Sequence, residues 1–228
     1  KRLGWGLNPR LLIKGPGLIK YLQRQAWEGG GTTPRLPGEA DDDYFDRCMH
    51  AADEHSKAAR EKGGDFHTLC QKFHLSTMGE GDGLFEVPKV FGPQFDGYLK
   101  WYETYVEPTV ACEQFVLGQG YAGRLDHLAV LKDGRLAGLD VKSQDISKRK
   151  KFNYYSAFSL QLGAYSGALP SPADCLVSVM VSSSTPVVVE AYTWPKKPDY
   201  YHQLFLGLLA IWQLENNYWP EANIAVSA

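Results

Sequence analysis

Residues 121 to 144 read "YAGRLDHLAVLKDGRLAGLDVKSQ". The short apolar runs on either side of Lys132-Asp133-Gly134 predict a β-hairpin, 124–131 against 135–142, because glycine accepts the positive φ that a tight turn imposes. Into this apolar hairpin the chain carries Asp126, Asp140 and Lys142. Residues two apart on a strand share a face, so Asp140 and Lys142 should point the same way, towards the neighbourhood of Asp126. Two carboxylates close together in apolar surroundings are costly unless a cation lies between them. Mg²⁺ meets that need, since it prefers oxygen ligands and is commonly held by one or two carboxylates plus a substrate phosphate. A lysine beside such an ion can orient a nucleophile or neutralise charge developing at phosphorus. The alternative is a pair of surface aspartates and a snorkelling lysine on an edge hairpin, and spacing alone leaves both readings open.

Working outward, "VACEQFVL" from Val110 predicts a strand before the hairpin, and "DCLVSVMVSS" and "PVVVEAYTW" predict a strand pair after it. Helical spacing is expected over 11–27, over 41–62 with a break at Gly63-Gly64, over 65–73 and over 95–107 with a stop at Pro108. Two more helices are expected, one from about Phe152 to Leu169 and one from Asp199 to about Asn216. The order is helices, three strands, a helix, two strands, a helix. That order predicts one mixed α/β domain over 1–228: a helical N-terminal lobe to 110, a catalytic sheet and helix over 111–195, and a C-terminal helix from 196. Gly118-Gln119-Gly120-Tyr121-Ala122-Gly123 matches G-x-G-x-x-G, but the residues after it alternate like a strand instead of opening a helix. A turn between strands is therefore expected, not a dinucleotide site.

Further candidates lie outside the hairpin. Glu113 is an acid on the preceding strand, able to reach the same cluster or simply to face solvent. Gln161 and Tyr165 stand four apart and so share one helix face. His67 could ligate a metal as a neutral imidazole, although a lone histidine is more often structural.

Taken in order, Gly64-x-x-His67, Glu113, Gly123-x-x-Asp126, Asp140-x-Lys142 and Gln161-x-x-x-Tyr165 resemble the RecB-type branch of the PD-(D/E)XK nucleases. That branch includes the mitochondrial genome maintenance exonuclease and the nuclease domains of CRISPR adaptation exonucleases and bacterial recombination helicase–nucleases. The resemblance spans roughly residues 60–195. It implies a restriction-endonuclease-like α/β core with a central mixed sheet flanked by helices, and a metal site on the strands. Asp126 and Asp140 would be principal ligands of Mg²⁺ or Mn²⁺, Lys142 the catalytic lysine, Glu113 a supporting acid and His67 the histidine completing the metal shell. Gln161 and Tyr165 would lie beside the site and help place a DNA strand.

The implied activity is metal-dependent hydrolysis of DNA phosphodiesters, as an exonuclease on single strands or ends, in repair, recombination or phage DNA processing. A helicase or recombination protein is a candidate partner. A catalytically weak nucleic-acid-binding module and a restriction-type endonuclease are the competing readings. Some relatives clamp an iron–sulfur cluster with four cysteines, but Cys48, Cys70, Cys112 and Cys175 are scattered without a C-x-x-C pair. No such cluster is expected, and reduced thiols are.

The 228-residue chain has a formal charge of −2, with 44% apolar residues and 13% aromatic residues. It is not a polyanion magnet as a whole, so nucleic acid would need a local patch. Lys148, Arg149, Lys150 and Lys151, followed by Tyr154 and Tyr155, supply one. Cations beside aromatic rings suit single-stranded nucleic acid, where phosphates take the charges and bases stack on the rings; a solvated loop is the plain alternative. The longest strongly apolar run, 204–212, is too short to span a bilayer, so no membrane partner is expected. A cytoplasmic setting in a bacterial or phage-infected cell is expected, with an organelle left open. Lys1 in place of Met suggests a processing boundary. The chain has no G-x-S-x-G elbow, which argues against a serine hydrolase.

Overall fold

In the computed structural model, which describes residues 33–80, 85–148 and 150–218, the hairpin forms as its sequence dictates. Strand β2, Tyr121–Leu131, pairs antiparallel with β3, Leu136–Gln144, with Val130 opposite Leu136 and His127 opposite Leu139. Gly134 takes φ +89°, and its amide donates to the Leu131 carbonyl at 2.8 Å. The G-x-G-x-x-G stretch is the preceding turn: Gly118 ends β1, Val106–Gly118, and pairs with Tyr121, while Gly120 takes φ +80°.

Beyond the hairpin, helix α3, Ser156–Gly167, carries the chain across to β4, Cys175–Ser182, which runs parallel to β3. Strand β5, Val189–Thr193, closes the sheet antiparallel to β4, so the spatial order is β1-β2-β3-β4-β5. All eight positions of β4 are buried, the pattern of a strand covered on both faces. Helix α2, Gly92–Tyr105, and α3 both pack on the sheet, and α4, Pro198–Glu215, packs against α3. The core between α3 and the strands gathers Leu125, Leu128, Leu162 and Leu176, joined by Tyr201 of α4. Gly163 of α3 lets the two helices meet, since a Cβ there would stand 2.6 Å from that of Tyr201. The protein is thus an α/β fold with a mixed sheet flanked by helices.

The helix expected from about Phe152 spans only Ser156–Gly167, and the helical segments differ from expectation in two further places. The expected break at Gly63-Gly64 does not occur: α1 runs unbroken over Asp41–Thr77. Two interior glycines cost about 1 kcal/mol each, but Phe66, Leu69, Cys70 and His74 lie at helical spacing and are all buried, which carries the helix through. The helix over 95–107 ends early, at Tyr105, and Pro108 lies within β1. There the register with β2 shifts twice, between Val106 and Thr109 and between Thr109 and Ala111, and β1 is an edge strand. Proline is tolerated in both circumstances. The helix expected over 11–27 lies outside the described residues.

The described residues divide into two compact units, with a boundary inside α1: those up to 66 form one, and those from 67 onward form the other. In the first, Glu39 organises the approach to α1. Its carboxylate accepts from the Arg47 Nε at 2.6 Å and from the Leu36 amide at 3.0 Å. Asp41, Asp42 and Asp43 then fill the first helical turn, where acids complement the exposed amides. The sheet and every candidate site residue belong to the second unit.

Candidate metal centre

Three side chains from three elements converge on the β1–β2 side of the sheet. From α1, His67 Nε2 lies 3.0 Å from Asp126 Oδ2 on β2 and 3.6 Å from Glu113 Oε1 on β1. One ligand atom from each of the three lies within 4.8 Å of the others. The strand register explains the convergence. Cys112 is opposite His127 and Gln114 opposite Leu125, which leaves Glu113 level with Asp126. The next ladder ends at His127 opposite Leu139, one step from Asp126 and Asp140.

Asp140 stands beside that trio. Its Oδ1 accepts from Lys142 Nζ at 2.5 Å, while its Oδ2 is buried without a hydrogen-bond partner. Lys142, two residues on, shares the Asp140 face as the strand period requires, and its ammonium also lies 5.5 Å from the Phe158 ring centroid. The Val141 amide between them donates to Asp126 Oδ2 at 3.2 Å, tying the two strands together at the acids.

Burial pushes the Asp140 carboxyl up to about 7, the Asp126 charge adds to this, and Lys142 only partly opposes it. Burial also acts against the Asp126 anion, but the hydrogen bond and charge of His67, with Lys142 behind them, outweigh it and hold that carboxyl at about 2. The Asp126 hydrogen bond in turn holds His67 above its ordinary range. Burial opposes the Lys142 ammonium, yet the charges of Asp140 and Asp126 hold it above its usual value. Two adjacent acids driven in opposite directions mark a site short of positive charge.

That shortage is the physical test for a divalent ion. A lone buried Oδ2, an ionised Asp126, and a histidine and glutamate within reach make an oxygen-rich donor set suited to Mg²⁺ or Mn²⁺. The residues present fit such an ion. None of the four free cysteines contributes to the cluster.

The expected helix pair is also beside the site. Gln161 Nε2 donates to the Tyr165 hydroxyl at 3.1 Å, and Tyr165 senses the charges of Asp126, Asp140 and Lys142. The Tyr165 ring occupies the space a side chain at 123 would need: a Cβ on Gly123 would stand 2.2 Å from Cε1. This is the physical content of the glycine three residues before Asp126.

The basic segment follows β3 directly. Gln144 clamps its far end, its Nε2 donating to the Asn153 carbonyl at 2.9 Å and its Oε1 accepting from the Asn153 amide at 3.0 Å. Ile146 and Phe152 are buried together against Met180. Between these anchors Lys148, Lys150 and Lys151 are exposed, and Arg149 lies outside the described residues. Tyr154 is committed within the fold: its hydroxyl donates to Glu190 Oε1 at 2.5 Å and its ring lies 4.6 Å from that of Tyr192. Tyr155, 48% exposed, offers the open ring of the two.

Several site features were missed in the sequence. Arg124 contacts Glu113 Oε2 through Nε at 2.5 Å, and its position inside the G-x-x-D stretch was the available signal. Glu113 takes φ +53°, a left-handed conformation that is unusual for a non-glycine residue and has no local sequence signal. Behind the acids, His74 Nε2 hydrogen-bonds the Tyr98 hydroxyl at 2.7 Å, and its ring lies 4.0 Å from that of His127. His67 and His74 are seven residues apart on α1, two turns on one face, and the expected segment over 65–73 stops one residue short of the second histidine.

No family model matches the chain, and no curated protein matches it. A solved structure described as "Crystal structure of SSO0001" is similar at a TM-score of 0.32 and 12% identity, over 86% of each chain. At that level the likeness assigns no activity.

Proposed function

We propose that the protein is a Mg²⁺- or Mn²⁺-dependent deoxyribonuclease with a RecB-type PD-(D/E)XK core, acting as an exonuclease on single strands or DNA ends. The observation that carries this reading is the convergence of His67, Glu113 and Asp126 next to the Asp140–Lys142 pair on adjacent strands. His67, Glu113, Asp126 and Asp140 would hold the ion. When bound, the ion supplies Lewis-acid stabilisation of phosphate oxygens and lowers the pKa of water. The protein's own residues do the rest. Lys142, half-buried with its charge maintained by two acids, presents an ammonium where negative charge develops on the phosphate. Gln161 fixes the Tyr165 hydroxyl while the ring packs over Gly123, beside the acids, where it can align a strand. The lysines at 148, 150 and 151 give the strand a basic approach to the site.

End-labelled single-stranded, blunt duplex and closed circular DNA, incubated with Mg²⁺, Mn²⁺ or EDTA, test the proposal. The expected result is metal-dependent loss of linear but not circular DNA, abolished by Lys142→Ala. Cutting of circles would favour an endonuclease. DNA binding with no cleavage of any substrate would favour a binding module.

A further inference from the structure

We propose that Arg124 takes a backbone phosphate of the substrate strand, and that Glu113 holds it in place until a divalent ion competes for that carboxylate. This rests on the reading of the site as a phosphodiesterase.

The contacts on Glu113 motivate it. One carboxylate oxygen faces His67 Nε2 at 3.6 Å, within the ligand trio; the other takes Arg124 Nε at 2.5 Å. Glu113 is thus shared between a prospective metal position and an arginine. The two basic side chains at the site differ in exposure. Lys142 is 26% exposed in its side chain and bound to Asp140, whereas Arg124 is 59% exposed. A planar guanidinium with five donors suits two oxygens of a phosphate better than an ammonium does. Arg124 lies on the same strand as Asp126, immediately after Gly123, against which the Tyr165 ring packs.

The ionic contacts at the site join three carboxylates, Glu113, Asp126 and Asp140, to His67, Arg124 and Lys142. Adding a doubly charged ion moves the charge of that cluster in the positive direction, which favours attraction of a phosphodiester. A carboxylate that shares its charge with a dication is a poorer partner for arginine. Metal binding and release of the guanidinium therefore belong to one event.

The test compares Arg124→Gln and Arg124→Lys with wild type, after circular dichroism shows that both fold. Electron paramagnetic resonance of Mn²⁺, without DNA, should show several-fold tighter binding in Arg124→Gln, because Glu113 is no longer shared. With end-labelled single-stranded DNA and Mn²⁺, the same variant should raise KM about tenfold with kcat little changed, as expected when one charge-assisted hydrogen bond to the substrate is removed. Its log–log salt slope should flatten by about 0.7, one phosphate on a single strand. Arg124→Lys should restore the salt slope but only part of the KM. An active wild type with unchanged KM and slope in Arg124→Gln overturns this inference alone, as does weakened Mn²⁺ binding in that variant. Absence of metal-dependent cleavage by wild type removes the nuclease reading and this inference with it.

Discussion

Asp140→Asn should remove a pH-dependent penalty that the metal-free protein carries. Asp140 is 2% exposed, and burial pushes its carboxyl from 3.8 to about 7. Because the folded value lies above the unfolded one, its contribution to stability is fully present below 3.8 and is lost as pH rises through 7. At pH 5 the folded protein keeps a proton that the unfolded chain has released, worth about 2–3 kcal/mol at roughly 1.4 kcal/mol per pH unit; by about pH 8 the contribution is gone.

Other groups titrate in the same window. His67, held above its ordinary value by Asp126, loses its contribution as pH rises, like Asp140. His127, pushed down to about 4 by burial, and His74, pushed down to about 2, act with the opposite sign: their contributions are present above 6.5 and fall away as pH drops. The wild-type curve mixes these effects, but the difference between wild type and Asp140→Asn isolates Asp140, since the amide does not titrate. The assay is urea unfolding of both proteins at pH 5 and pH 8 in EDTA. The gap should move by about 2–3 kcal/mol in the variant's favour between the two. A gap that stays constant refutes the argument that Asp140 is held neutral by burial. Saturating Mn²⁺ at pH 8 should then stabilise wild type by about 2.7 kcal/mol at a hundredfold its Kd, and the variant much less.

Three further outcomes follow from the geometry. Gly123→Ala places a Cβ 2.2 Å from the Tyr165 ring and should cost about 1–3 kcal/mol by overpacking; thermal unfolding should show the cost largely removed when Tyr165→Ala is added, a non-additive pair. Glu113→Gly should relieve the left-handed backbone at φ +53° and raise stability by about 1 kcal/mol, a melting shift of roughly 2–4 °C, while weakening Mn²⁺ binding. Alanine at Lys148, Lys150 and Lys151 should flatten the salt dependence of single-strand binding by about 2, from roughly 0.7 for each phosphate no longer neutralised; unchanged binding at two salt concentrations would show that the loop does not touch the strand.

Where one face or one turn fixed the answer, the sequence was readable. Asp140 and Lys142 share a face because strand period is two, and they meet at 2.5 Å. Gly134 between two apolar runs set the hairpin register, and that register brought Asp126 level with Asp140. Gln161 and Tyr165 meet because four residues make about one helical turn. The segments that misled did so where tertiary packing outweighs local propensity. Gly63-Gly64 has the composition of a break, but Phe66, Leu69, Cys70 and His74 bury the following turns and the helix continues. Pro108 has the composition of a helix stop, but the helix ends three residues earlier and the proline enters an irregular edge strand.

The end of α1 matters more to the site than to the fold. The buried turns at Leu69, Cys70 and His74 fix the rotation of the helix around His67, and with it the direction of that side chain. That rotation brings Nε2 to 3.0 Å from Asp126 and commits His67 and Asp126 to each other. Asp126 consequently stays ionised while Asp140, which lacks an imidazole partner and is opposed only by a partly exposed lysine, is driven towards neutrality. The asymmetry between two otherwise equivalent hairpin aspartates therefore originates in α1, about sixty residues upstream of the first of them.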